Sequence, residues 1–335
     1  MKKFIKALIM LIFAVSIFLT VYFSEKIKTA VYNSLVLCGS NLIPSLLPMM
    51  FITFLLIDSG VLKWMPKKAV SIFIFILTCV SGYPSGAKIY GSLAHNGTLQ
   101  RSIAEKLIPT SVCAGPAFII NFVGHGLLDS KSIGIFLYIS IVLSNLIVFI
   151  YYGGLKISPK ENNFKTDKNA LVYAAKDSLD AVIGICGYVT IFSAVSEIIY
   201  CCFGDDVKKI FVYITEVTGA ITNTNNIYLV CFLLSFGGMC VFTQIISLTQ
   251  NLKINTLNYI KTRLICGIIS LIFFKILFLI FPKYVYTYSN LDSPAVLSVN
   301  SGKAYLITLL LTLLTLLLSI KHSSSGNLLK DIDVI

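Results

Sequence analysis

Apolar residues run along this chain in long blocks, not in the short alternations of a soluble domain. A helix needs ~20 mostly apolar residues to cross a bilayer. Phe4 to Phe23 supplies the first such block, behind Lys2 and Lys3. With Lys6, these cations favour a cytoplasmic N-terminus. No small-residue cleavage site follows, so residues 1–30 read as a retained signal-anchor helix. Val31 to Ile57 is the second block, interrupted by Pro44 and Pro48. Each proline removes a backbone donor and frees an upstream carbonyl, which predicts a kinked or broken helix.

The third block is too short. It runs from Ala69 to Val80 before meeting Ser81-Gly82-Tyr83-Pro84-Ser85-Gly86-Ala87-Lys88. At about 1.5 Å per residue such a helix stops near mid-membrane, so the segment breaks there or re-enters. Ser92 to Ile108 is amphipathic. Ser111 to Leu128 is apolar but interrupted at Cys113-Ala114-Gly115-Pro116, and Ile133 to Leu155 is an unbroken span.

The second half has the same kinds of segment. An amphipathic lead, Tyr173 to Asp180, flows into an apolar run to Phe203. Ile210 to Ala220 is short and carries Glu216-Val217-Thr218-Gly219 near its end. Ile227 to Gln250 is split by Phe236-Gly237-Gly238. Asn251 to Arg263 is amphipathic, Leu264 to Phe281 is apolar with Lys275 inside it, and Tyr305 to Ile320 is the last span. The expected fold is all-α, a polytopic membrane protein with two repeats and discontinuous helices. The first repeat covers 31–156 and the second 172–320, with a polar linker at 157–171 and a polar tail at 321–335.

Composition agrees with this pattern. The chain has 335 residues, 56% hydrophobic and only 13% charged, against ~45–50% and ~25% in soluble domains. The formal charge of +12 suits loop cations of a membrane protein and contact with anionic lipid; no nucleic-acid partner is expected. The nine cysteines include no Cys-x-x-Cys pair, and His95 and His125 stand apart. No metal or other cofactor is expected. There is no phosphate-binding loop of the G-x-x-x-x-G-K-S/T type.

Short identities relate the two halves. Gly82 pairs with Gly237, Ser92-Leu93 with Ser247-Leu248 and Asn96 with Asn251, all at an offset of 155. Repeats whose helices are interrupted at corresponding places point to a secondary transporter's binding site. In lipid every backbone N–H and C=O must be paired, so a break survives only inside protein or beside a water-filled cavity.

Ser81 to Lys88 resembles the Gly-Tyr/Phe-Pro-x-Gly-Ala-Lys signature of the YlbJ-type sporulation integral membrane proteins. Cys113-Ala114-Gly115-Pro116-Ala117-Phe118 is similar to that family's Asn-Ala-Gly-Pro-x-Phe segment, with cysteine where asparagine is common. Ser235-Phe236-Gly237-Gly238 with Gln244 resembles its second glycine signature. The likeness spans roughly 31 to 320. It implies the gate, or nucleoside-recognition, fold shared distantly with concentrative nucleoside transporters, and a role in endospore formation. It also implies passage of a small metabolite across a forespore-surrounding membrane, with the anion dipicolinate as the natural candidate.

The expected substrate site lies at the breaks: Ser81, Gly82, Tyr83, Pro84, Ser85, Gly86 and Lys88 in the first, Gly115 and Pro116 with Asn121 in the next. In the second half it takes Glu216, Thr218 and Gly219, then Gly237, Gly238 and Gln244. Lys88 reads either as a counter-charge for an anionic substrate or as a snorkelling lysine. Glu216 reads as a carboxylate for a coupling proton or sodium, as a partner of Lys88, or as a residue at a segment end. The partners implied are a small solute, the bilayer, a coupling ion and a second copy of the chain. A nucleoside-type transporter and a non-transporting assembly factor are the alternatives. Enzyme chemistry is not expected, since Ser85 with Lys88 is the only faint nucleophilic pair.

Overall fold

The computed structural model describes residues 2–156, 169–224, 226–249 and 252–281. Most of the linker, Asn225, the expected span Tyr305 to Ile320 and the tail lie outside the described residues. The described residues fold as helices without strands. Five helical stretches are long and apolar enough to cross a membrane. The chain is an all-α, multi-pass integral membrane protein.

Helix α1 (Lys2–Tyr22) presents Phe13, Ile17, Phe18 and Val21 outward, as a helix facing lipid does. α2 (Ser24–Leu37) passes through a π turn, Cys38–Leu42, into α3 (Ile43–Asp58). The prolines are expected to kink or break this segment. It is not broken: it stays a continuous 35-residue span, distorted locally by the π turn. The π turn just ahead of Pro44, with Ile43 N–H bonded to the Cys38 carbonyl, gives the ring its room by widening the helix there.

The next helices are broken. α4 (Lys67–Ser81) stops at Gly82, and α5 (Ser85–His95) restarts after the cis Tyr83–Pro84 bond. α6 (Arg101–Leu107) tightens into a 3₁₀ turn at Ile108–Ser111, and residues 112–115 are irregular. A π-helix, Ala117–Leu127, follows and packs on the uninterrupted α7 (Lys131–Tyr151). Their contact is close because glycines meet: the Gly124 and Gly134 backbones leave no room for a Cβ on either.

α8 (Ala170–Phe203) is 34 residues long, roughly 50 Å, and runs against both α2 and α3. α9 (Asp205–Thr215) breaks at Glu216 before the short α10 (Val217–Thr222). α11 (Ile227–Phe236) breaks at Gly237 before α12 (Gly238–Leu248). α13 (Thr256–Ile280) joins the expected amphipathic and apolar stretches into one helix, packed against α7 and α11.

The order of elements recurs. Each half has a long helix, two broken helices and one uninterrupted helix. By that order the counterpart of the Gly82 break is Glu216, and that of residues 112–115 is Gly237. This differs from the pairing that residue identities suggested, because a few short identities constrain an alignment less than a whole series of elements does.

Candidate functional site

The four breaks meet in pairs. Tyr83 N–H donates to the Cys113 carbonyl at 2.8 Å, and a Cβ on Gly82 would stand 2.9 Å from the Gly115 nitrogen. In the second half, a Cβ on Gly238 would come within 3.0 Å of the Thr215 carbonyl. Each interruption is thus buried against another, which is where irregular backbone can exist in a membrane.

Side chains finish the pairing of exposed carbonyls. Ser85 Oγ donates to the Gly82 carbonyl, and Ser81 Oγ lies 2.5 Å from Ser85 Oγ and 2.8 Å from the Leu77 carbonyl. Asn145 of α7 donates to the Val112 carbonyl at 2.9 Å. Arg263 of α13, fully buried, donates to the Pro109 carbonyl at 2.8 Å, to Asn145 Oδ1 at 2.9 Å and to the Phe236 carbonyl at 3.4 Å. Its charge therefore faces the C-terminal ends of the helices that lead into two of the breaks, where a helix dipole favours a cation.

A small inner chamber lies among the breaks, with room of about 20 Å³, roughly one water molecule. Tyr83, Ala114, Glu216, Thr218, Cys240 and Gln244 line it, with an apolar wall from Leu42, Leu46, Phe118, Ile185 and Val189. Gln244 is 3% exposed and its Oε1 has no hydrogen-bond partner among the described residues, while Nε2 lies 3.3 Å from Cys240 Sγ. A buried acceptor left open at a chamber wall is a ready contact for a ligand donor.

Glu216 links this chamber to a larger cleft of about 320 Å³. Its carboxylate accepts the Thr218 N–H at 2.7 Å and the Gly219 N–H, capping α10. Polar groups line part of the cleft: Asn33, Ser34, Ser193, Ser196 and Asn223, together with Glu197 and Lys208. These last two form an ion pair at 2.7 Å, with the lysine above the Tyr200 ring.

The expected site residues sort into two groups. Tyr83, Glu216, Thr218 and Gln244 line the chamber, and Gly219 lines the cleft. Ser81, Gly82, Pro84, Ser85, Gly86, Gly115, Pro116, Gly237 and Gly238 build the breaks without lining either space. Gly86, for instance, packs against Ser111 so closely that a Cβ would overlap its side chain. Two residues stand elsewhere. Lys88 forms an ion pair with Asp177 of α8 and lies 4.6 Å from the centre of the Phe54 ring, not beside Glu216. Asn121 is on the exposed face of the π-helix, because the wider helix turns that position away from the chamber. Lys275 is likewise exposed, as a snorkelling lysine would be.

Sequence reading passed over Arg263, Asn145 and the polar stripe of α8. The stripe had a signal: Ser193, Ser196 and Glu197 recur at helical spacing in an apolar run.

The chain is similar to the sporulation integral membrane protein YlbJ of Bacillus subtilis (strain 168), at 28% identity over 154 residues. That alignment covers 42% of this chain and 37% of the relative, so the chain spans little more than a third of the curated relative's length. The homology is weak and extends to a YlbJ-like protein at most. No family model matches the chain. No solved structure matches it.

Proposed function

We propose that this protein is a transporter for a small polar solute, working in a membrane of sporulating cells. The observation that carries the reading is Glu216. It stands at the break between α9 and α10, in the wall shared by the small chamber and the larger cleft. A carboxylate there can exchange a proton with water in the cleft and meet a solute in the chamber. That is the position a coupling group needs in a carrier whose broken helices surround the site.

Dipicolinate is the first solute to test and nucleosides are the second. The support for an anion is dipolar and comes without a lysine. α5 and α12 both begin close to the chamber, which Tyr83 just ahead of α5 and Cys240 and Val241 in the first turn of α12 line, and helix N-termini favour negative charge. Lys88, spent on Asp177, adds nothing to this. Open Gln244 Oε1 suits a solute that carries a donor, such as a protonated acid or a sugar hydroxyl. The sporulation setting is supported by the relative's name, and placement in a forespore-surrounding membrane is part of the proposal.

The test is solute accumulation in vesicles bearing only this protein, with dipicolinate and nucleosides run in parallel, with and without a pH gradient. Accumulation that depends on the gradient and disappears in Glu216→Gln is expected. Absence of uptake of every solute would favour a membrane assembly factor.

A further inference from the structure

The inner chamber shares Val189, Glu216 and Thr218 with the Glu197–Lys208 cleft, and a second cleft lies further along α5 and α12. α5 connects the two places. Tyr83, just ahead of α5, lines the chamber, whereas Gly91, Ser92 and His95 near its end line a cleft of about 270 Å³. α12 runs the same course, with Cys240, Val241 and Gln244 at the chamber and Leu248 at the cleft. The distance is about two to three turns along α5, roughly 12–18 Å, and one to two turns along α12, roughly 6–12 Å.

Lys88 sits between those ends. It shares a face of α5 with Ser92 and His95, at i, i+4 and i+7, one turn closer to the chamber. Its ammonium meets Asp177 and the Phe54 ring. Asp177 belongs to α8, which also passes the chamber at Ile185 and Val189 and reaches the open cleft at Glu197. Order along α8 therefore puts the ion pair on one side of the chamber and the open cleft on the other.

We propose that the Lys88–Asp177 pair is the closed gate between the chamber and the His95 cleft. The pair joins a half-helix of the first half to the long helix of the second, so separating the halves must break it. Its side chains are 21% and 36% exposed. An ion pair that water already reaches can open without leaving a buried, unpaired charge, unlike a fully buried one. Phe54 under the ammonium completes the closure, since a cation held over a ring loses a second contact when it moves. The inference rests on the transport reading and adds to it which side is shut, and by what.

Access to Cys240, which lines the chamber, can be read without any solute. The full chain in right-side-out and inside-out vesicles is treated with a membrane-impermeant maleimide, and modification of Cys240 is measured by peptide mass spectrometry. Lys88→Met keeps the stem over Phe54 and Asp177→Asn keeps the shape, so each removes charge with little loss of packing. Each is expected to raise Cys240 labelling from the His95 side severalfold. The exchanged pair, Lys88→Asp with Asp177→Lys, is expected to bring it back toward the native rate. Unchanged labelling from that side in both single variants overturns the gate, as does labelling of the exchanged pair that stays high. If one variant fails to fold, the other carries the test. Transport activity has no part in this readout, so a protein that moves no solute yet shows this labelling pattern would sink the transport reading and leave the gate standing.

Discussion

Arg263 Nη1 lies 2.9 Å from Asn145 Oδ1, and neither side chain touches a carboxylate among the described residues. Two uninterrupted helices, α7 and α13, are thus joined by a buried cation whose other partners are backbone carbonyls at the breaks. The cation compensates carbonyls that no helix can satisfy, and the carbonyls compensate the desolvated cation.

Replacing Arg263 by alanine removes all of this at once. The Pro109 carbonyl and Asn145 Oδ1 lose charge-assisted donors, each loss worth ~1–3 kcal/mol in a buried setting, and a cavity is left besides. Thermal melting of the detergent-solubilised protein is expected to fall by several degrees. The Arg263→Lys variant keeps the charge but not the fork that reaches several acceptors, so its melting point should lie between those of the native and alanine forms. A melting curve for Arg263→Ala equal to that of the native chain would show that the network carries no stability.

A pair of glycine substitutions separates break geometry from ordinary helix propensity. Gly82 has φ +81°, and a Cβ there would meet the Gly115 nitrogen at 2.9 Å. Gly82→Ala therefore strains both the residue and its neighbour, and poor expression or a melting point several degrees lower is expected. Gly187 is helical, exposed, and has nothing within 4 Å of its Cβ position. Gly187→Ala should gain up to ~1 kcal/mol from helix propensity. Equal effects of the two substitutions in the same melting assay would contradict the geometry of the first break.

These cases show what was legible from one dimension and what was not. The breaks at Gly82 and Gly237 could be read because Gly and Pro interrupt apolar runs, and a short run cannot cross a membrane. Glu216 could be read as a carboxylate in an apolar segment. Arg263 could not, because its partners are main-chain carbonyls of Pro109 and Phe236, which leave no mark in side-chain patterns. Nor could Lys88: its motif announced importance, but its partner lies on a helix of the other half. Ser81 and Ser85 looked like chamber residues for the opposite reason. Their local hydrogen bonds close the first break, and local backbone pairing looks the same in sequence as a ligand contact.

Glu216 has two duties that mutation can separate. Its oxygens cap α10 through the Thr218 and Gly219 N–H groups, and its charge faces the chamber and cleft. Glu216→Gln retains one side-chain oxygen as an acceptor and nearly the same volume. Glu216→Ala removes both acceptors, which at an N-cap costs ~1 kcal/mol and leaves buried N–H groups open in a short helix that has few other supports. The alanine variant is accordingly expected to melt a few degrees below the native protein, and the glutamine variant close to it. The comparison matters for the transport assay, because a folded Glu216→Gln protein that fails to accumulate solute has lost a titratable group and not its break. Should Glu216→Gln melt as low as Glu216→Ala, the carboxylate would be holding the break through its charge, and loss of uptake in the glutamine variant would no longer speak for proton coupling.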